Sequence, residues 1–194
     1  MTKLEVARRQ LGTALALFLE DCDPVSVHSL ACAACEVLTD LVEKSGKRSF
    51  NSHILASNPK ETAKALRQAQ NAYWNAFKHA RERDRKTERD DARLLIDFSD
   101  ARNDHDLFAG WLDYSNLTGQ FPHEAQLFVY WYLAVYPDIG RYFSHLAWQS
   151  IFPGLHEADR TEQKRRLRAA IDTHRPLAKD DPLIEKLPLI LRRE

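Results

Sequence analysis

The stretch DPVSVHSLACAACEVLTDLVEK, residues 23–44, decides the fold class of this protein. Asp23 is a residue type preferred at the N-cap of a helix, and Pro24 suits the first helical position. Apolar side chains then recur at three- and four-residue steps, which is the period of an amphipathic helix. They are Val27, Leu30, Ala31, Ala34, Val37, Leu38, Leu41 and Val42. The stretch therefore predicts a helix over about 24–44 with one face in a core.

The residues before this stretch have the same period. Leu4, Ala7, Leu11, Ala14, Leu15 and Phe18 predict an amphipathic helix over about 3–20. Because the connection between the two helices is short, we expect them to pack as an antiparallel hairpin.

Most of the remaining chain is also predicted to be helical. Asn58, Pro59 and Glu61 form a helix start signal, and Asp159 with Glu162 forms a second one. Further helices are predicted over about 59–80, around 107–112, and over 123–136, 139–152 and 160–174. The residues at 45–57 and the charged run 81–93 are predicted as loops, and 94–98 as a short strand or extended segment. The predicted fold class is all-α, an antiparallel bundle of about six to seven helices.

The length of 194 residues suits one domain. We expect a single helical domain over residues 1–175 and an extended, Pro-rich C-terminal tail over 176–194. The tail is too apolar to lie free in water, so we expect it to dock on the body or on a partner subunit. A homodimer is the expected assembly.

Composition narrows the class of protein. Hydrophobic residues make up 44% and charged residues 29%, and 28 basic side chains balance 28 acidic ones. There is thus no global basic field to attract nucleic acid, although a local patch is compatible with these totals. The three cysteines have no secreted-domain spacing, and the longest apolar run, 127–135, is short for a membrane span. We expect a cytoplasmic protein that does not enter a membrane.

One polar stripe lies within the second helix. His28, Cys32 and Cys35 follow one another at i, i+4 and i+7, and Thr39 continues the line. Thiolate and imidazole groups at this spacing can ligate zinc, but no fourth protein ligand is apparent. The small residues around them also favour close approach of another helix, with cysteine acting as a small hydrophobe. Close packing is the favoured interpretation, and neither a metal nor a cofactor is expected.

A second stretch whose side chains could take part in catalysis or binding is YWNAFKHA, residues 73–80. On a helical wheel Gln68, Ala72, Asn75 and His79 form a stripe beside the apolar face, which centres on Tyr73 and Phe77. The side chains of Asn75 and His79 can therefore contact the same ligand. A structural role is the alternative, in which Asn75 holds the imidazole or a backbone group at a helix junction.

The hairpin FLEDCDPVSVHSLACAACEVL, followed by a helix ending in N-x-x-x-H, resembles the HEPN superfamily. More narrowly, the chain resembles uncharacterised bacterial proteins with an ITLAGAAEE-like second helix and an ARN-x-x-KH-like third helix. The resemblance covers roughly residues 8–136. It implies a small helical bundle that often dimerises, with RNA as the leading ligand class. Active members of the superfamily are metal-independent ribonucleases with an R-x(4–6)-H motif.

The resemblance assigns roles to this segment. In a ribonuclease His79 would act as general acid or base, and an Arg would stabilise the charge on the phosphate. The alignment puts Trp74 at the position of that Arg, and an indole cannot neutralise a phosphate. Lys78 is a possible substitute, but it lies about 60° around the helix from Asn75.

The favoured function is a non-catalytic module that binds protein or RNA, with Trp74, Asn75 and His79 as binding residues. The alternative is a metal-independent endoribonuclease of the toxin, stress or defence type that uses His79, Asn75 and Lys78. The pairs Arg48–His53 and Arg168–His174 match the bare motif spacing, as expected by chance. A third hypothesis is a metal-dependent enzyme built on His28, His79 and the acids that follow. Those acids are Asp84, Asp90, Asp91, Asp97, Asp100, Asp104 and Asp106.

Overall fold

The computed structural model describes residues 1–82, 84, 86–140, 143, 147–179 and 181–191. It confirms the all-α class: 70% of the described residues are helical, and they contain no strand. They form eleven α-helices, more than the six to seven expected. These are α1 (Lys3–Leu19), α2 (Pro24–Lys44), α3 (Phe50–Ser57), α4 (Ala63–Gln70), α5 (Ala72–Lys78), α6 (Ala92–Ile96), α7 (Asn103–Thr118), α8 (His123–Val135), α9 (Pro137–Gly140), α10 (Ala147–Ile151) and α11 (Arg160–His174). Tertiary contacts divide the chain into two compact units, residues 1–113 and 114–194.

The first unit is built on the α1–α2 hairpin. Asp23 caps α2 through hydrogen bonds that its carboxylate accepts from the backbone N–H groups of Val25 and Ser26. The two helices pack along their apolar faces, as the periodicity predicts. Their fully buried side chains include Leu11, Leu15, Ala31, Leu38 and Val42.

Helix α7 approaches this hairpin closely at Gly110. A Cβ atom at this position would lie 2.7 Å from Leu11 Cδ2 and 3.1 Å from Cys35 Sγ. Glycine therefore lets the backbone of α7 come against both helices of the hairpin. This contact brings polar residues of α2 and α7 face to face.

The second unit is centred on α8, which packs against α10, α11 and the turn at 155–157. The indole Nε1 of Trp131 donates a hydrogen bond of 2.8 Å to the backbone carbonyl of Gln163. Asp159 caps α11 as predicted, by accepting from the Glu162 N–H. In the tail, the backbone of 183–185 pairs with Phe121, and Ile184 is buried.

Several predicted elements differ in the structure. Residues 50–57, predicted as loop, form α3, because the Ser49 hydroxyl caps it by accepting from the Ser52 N–H. The helix predicted from Pro59 begins instead at Ala63, with Thr62 as its cap. It is interrupted at Asn71, whose backbone (φ −91°, ψ 6°) leaves the helical region.

Two further segments account for the remaining differences. Residues 92–96 form the short helix α6 instead of a strand or extended segment. The helix predicted over 139–152 is seen only as α9 and α10 at its two ends, since residues 141–142 and 144–146 lie outside the described residues.

Helix α2 is long and apolar enough to cross a membrane by length and composition alone, with a mean hydropathy of 1.5. It is the single such helix in the described part of the chain. Core helices of soluble proteins pass the same criterion, and α2 packs against α1.

Candidate functional site

Helix α5 carries the stretch that the sequence analysis singled out. Asn75 and Lys78 lie within the helix, and His79 is its C-cap with an extended backbone (φ −126°, ψ 114°). The backbone N–H of His79 still donates to the Asn75 carbonyl at 3.0 Å. His79 is exposed, whereas Asn75 is half-buried.

An open cleft of about 1580 Å³ lies against this helix. All four residues of the predicted stripe line it, namely Gln68, Ala72, Asn75 and His79. Lys78 lines it as well. Residues three apart on a helix are neighbours, so Lys78 lies on the same side of α5 as Asn75.

Basic side chains outnumber acidic ones in the cleft wall. The basic residues are Lys64, Arg67, Lys78, Arg81 and Arg89, and the acidic ones are Glu36, Glu82 and Asp84. Part of this charge is already compensated. Arg89 forms a bidentate pair with Asp91, with both N–O distances at 2.7 Å, and Asp84 accepts from the Lys86 and Thr87 N–H groups.

Trp74 contributes no charge at the position where the resemblance expects an arginine. The Lys78 ammonium lies over its ring instead, with Nζ 3.2 Å from the ring centroid. This cation–π contact holds Lys78 near the cleft that Asn75 and His79 line.

A second cluster lies in the interior of the same unit. His28 and Cys32 on α2 meet Asn103 and Asp106 on α7, and all four side chains are buried. His28 Nδ1 is 3.1 Å from Asn103 Oδ1 and 3.3 Å from Asp106 Oδ2. His28 Nε2 is 3.4 Å from Cys32 Sγ. Asn103 is itself held in place, because its Nδ2 donates to the Pro24 carbonyl at 3.1 Å.

Aromatic rings close this cluster on the side of His28. Tyr73, Phe77 and Phe98 each make an edge-to-face contact with the imidazole, at centroid distances of 5.5 to 6.0 Å. The apolar face of α5, which the sequence predicts to centre on Tyr73 and Phe77, therefore packs on His28.

Burial sets the protonation of the cluster. Desolvation lowers the pKa of His28, with the hydrogen bond that His28 donates to Asn103 acting in the opposite direction. Desolvation raises the pKa of Asp106 to about 7 and that of the Cys32 thiol far above its usual range. Both shifts disfavour a charged His28–Asp106 ion pair. A thiol held in this protonated state is a poor nucleophile, which argues against cysteine-based catalysis here.

A smaller cleft of about 400 Å³ opens onto this cluster. Cys32 and Asp106 line it together with Cys35, Glu36 and Asp113. Glu36, Arg67 and Asn71 line both this cleft and the larger one. The polar cluster is thus reachable from solvent on one side.

The polar stripe of α2 is explained by its hydrogen-bond partners on α7. Cys35 Sγ donates to the Asp106 carbonyl at 3.0 Å, and Thr39 Oγ1 donates to Asp113 Oδ2 at 3.3 Å. The sequence relates Asp106 to His28 only through the metal hypothesis and assigns no role to Asn103 or Asp113. A signal for Asp113 exists, since it lies seven positions after Asp106 and therefore on the same face of a helix.

The histidines of the two bare motif matches have local surroundings. His174 Nδ1 bonds locally to the Ala170 carbonyl, and His53 is exposed on α3. Of the seven predicted acids, Asp106 alone joins the group of described residues able to hold a metal, which consists of His28, Cys32 and Asp106. His79 is not part of that group.

Comparisons with known proteins give no relative from which to transfer a role. No protein-family model matches the chain, and neither a curated protein nor a solved structure does.

Proposed function

We propose that this protein is a non-catalytic helical module that binds RNA through the cleft beside α5. The observation that carries the proposal is the excess of basic side chains in that cleft, next to Asn75 and His79. Lysine and arginine side chains supply most of the affinity of a protein for a nucleic acid backbone. A local patch of this kind also reconciles RNA binding with the balanced charge of the whole chain.

Lys64 and Arg67 are the strongest candidates for phosphate contacts. Both come from α4, and neither forms an ion pair with another residue that the structure describes. A phosphate would therefore not compete with an internal acid for these two side chains. Asn75 and His79 add hydrogen-bonding groups that can meet the ribose or a base.

The environment of His79 favours binding over catalysis. A general base needs a partner that orients the imidazole, and in the described part of the chain no side chain hydrogen-bonds to that of His79. The neutral indole of Trp74 stands where the resemblance expects the charge-stabilising arginine. Both features support a surface that holds RNA without cleaving it.

The test is fluorescence anisotropy with labelled single-stranded RNA and tRNA, in EDTA and at several salt concentrations. Replacing Arg67 by Ala is expected to weaken binding about fivefold to tenfold. The slope of the logarithm of the binding constant against the logarithm of the salt concentration should also fall in magnitude by about one, as for the loss of one phosphate contact. Lys3→Ala, an exposed cation outside the cleft, is the matched control and should bind like the wild type. Equal binding by all three proteins, or none by the wild type, would refute the proposal.

The same incubation tests the ribonuclease alternative. That alternative is favoured by one observation, namely that Asn75 and His79 line one cleft. We expect the RNA to stay intact with the wild type. Cleavage in EDTA that disappears in a folded His79→Ala variant would instead make the protein an endoribonuclease.

We further propose a cytoplasmic homodimer that stays out of the membrane. All three cysteines are free, as expected in a reducing compartment. Leu183, Leu187 and Ile190 of the tail are 46% to 56% exposed in the single chain, and a second copy would cover them.

Sedimentation velocity tests the assembly. The wild type is expected to sediment as a dimer, and Leu187→Asp should shift it to the monomer. Ile96→Asp, at an exposed apolar residue outside the tail, should leave the dimer intact. A monomeric wild type at high concentration would contradict the assembly without bearing on RNA binding.

A further inference from the structure

We propose that His28, Cys32 and Asp106 form a binding site for a zinc ion between α2 and α7. One nitrogen of His28, the sulfur of Cys32 and a carboxylate oxygen of Asp106 all lie within 4.8 Å of one another. This inference goes beyond RNA binding and does not depend on it. It also revises the close-packing interpretation of the α2 stripe, because the third ligand comes from α7.

The ligand distances suit zinc. Bonds of about 2.0 Å to nitrogen or oxygen and 2.3 Å to sulfur put tetrahedral ligand atoms about 3.5 Å apart. The measured separation of 3.4 Å from His28 Nε2 to Cys32 Sγ is in this range, and the ligand atoms of all three residues lie within 4.8 Å of one another.

Asn103 provides the support that a metal-binding histidine requires. Its Oδ1 lies 3.1 Å from His28 Nδ1 and accepts the proton of that nitrogen, which leaves the lone pair of Nε2 directed toward Cys32. Asn103 is completely buried and is fixed by the Pro24 carbonyl. A histidine that ligates a metal usually donates its other N–H to such an oxygen.

The set of donors and its surroundings favour zinc over other ions. A mixture of nitrogen, sulfur and oxygen suits a borderline-soft ion, whereas calcium and magnesium take oxygen ligands. The 400 Å³ cleft, lined by Cys32 and Asp106, leaves room for a water molecule in the fourth position. On binding, the Cys32 thiol and the protonated fraction of the Asp106 carboxyl lose their protons to solvent, and the cation stabilises the thiolate and carboxylate formed.

Cys35 provides a matched control within the same helix. It lies three residues after Cys32 and lines the same cleft, yet its sulfur donates to the backbone carbonyl of Asp106 and is not part of the ligand group. A Cys35→Ser variant should therefore keep the metal, while Cys32→Ser should lose it. Cys22 is exposed and free, so Cys22→Ser removes the one other thiol.

The test is titration of the full-length Cys22→Ser protein, stripped with EDTA, with Co²⁺ as a spectroscopic probe. We expect one equivalent of Co²⁺ to produce thiolate-to-cobalt charge transfer and the visible bands of a tetrahedral site, and Zn²⁺ to displace it. Adding Cys32→Ser should remove the charge-transfer band, and adding Cys35→Ser should preserve it. Asn103→Ala should weaken Zn²⁺ binding about 10- to 100-fold.

The titration of the Cys22→Ser protein decides the matter even if another variant fails to fold. Absence of charge transfer in this folded protein would overturn the proposal. The same holds for a band that depends on Cys35 and survives Cys32→Ser. An RNA-binding result of either sign leaves the metal titration unaffected, so the two proposals fail separately.

Discussion

Asp113 is a buried carboxyl group held by two hydrogen bonds. Its Oδ1 accepts from the backbone N–H of Phe50 at 2.7 Å, and Oδ2 accepts from the Thr39 hydroxyl at 3.3 Å. Desolvation raises its pKa, although both hydrogen bonds act to lower it. Between the unfolded and folded pKa values the folded state keeps the proton that the unfolded state has lost, so stability falls as pH rises.

Replacing Asp113 by Asn should remove this pH dependence, since the amide is neutral and its oxygen still accepts from Phe50. Urea unfolding of wild type and variant from about pH 4 upward is the measurement, in EDTA throughout. The wild type is expected to lose free energy of unfolding relative to Asp113→Asn as pH rises. Asp172→Asn, at an exposed residue, should run parallel to the wild type, and a wild type parallel to Asp113→Asn would contradict the expectation.

At the scale of the element, local signals predicted helices where the caps are unambiguous. Asp23 and Asp159 cap α2 and α11 as their positions indicate. Asn58 carries an equally good signal but ends α3 instead, with its Nδ2 donating to the Ile54 carbonyl. Asn58 and Thr62 are both cap residues and lie four positions apart, and α4 starts after the second, whose hydroxyl accepts from the Ala65 N–H.

The cap of α2 is the local interaction most open to a direct test. Asp23→Ala should lower the free energy of unfolding, because the N–H groups of Val25 and Ser26 lose their acceptor. Asp23→Asn is the control and should stay close to the wild type, since Asn is an equally good cap. Thermal or urea unfolding followed by circular dichroism measures both, and equal losses in the two variants would argue against capping.

At the scale of the whole molecule, the C-terminal segment returns to a residue far earlier in the chain. The Phe121 N–H donates to the Leu183 carbonyl at 3.0 Å, and the Glu185 N–H donates to the Phe121 carbonyl at 2.7 Å. Ile184 between them is 5% exposed, whereas Leu183 is 56% exposed. One apolar side chain thus anchors this part of the tail, which the sequence marked only as too apolar to be free.

Truncating this anchor should release the segment. Ile184→Ala is expected to cost about 2 to 4 kcal/mol of stability, as for other buried Ile-to-Ala changes. Hydrogen exchange should then show faster exchange of the Phe121 and Glu185 amides. Leu183→Ala is the matched control, with little effect on either amide, and unchanged protection in Ile184→Ala would contradict the role of the anchor.

The sequence by itself determined the all-α class, the α1–α2 hairpin, α8 and α11, because periodicity and capping depend on residues a few positions apart. It also placed Gln68, Ala72, Asn75 and His79 on one stripe, and all four line one cleft. Only the tertiary structure decided what meets His28 and Cys32. Asn103 lies 75 positions from His28, and no local pattern relates them. Helix packing at Gly110 brings α7 against α2, and burial then sets the protonation of the groups that meet there.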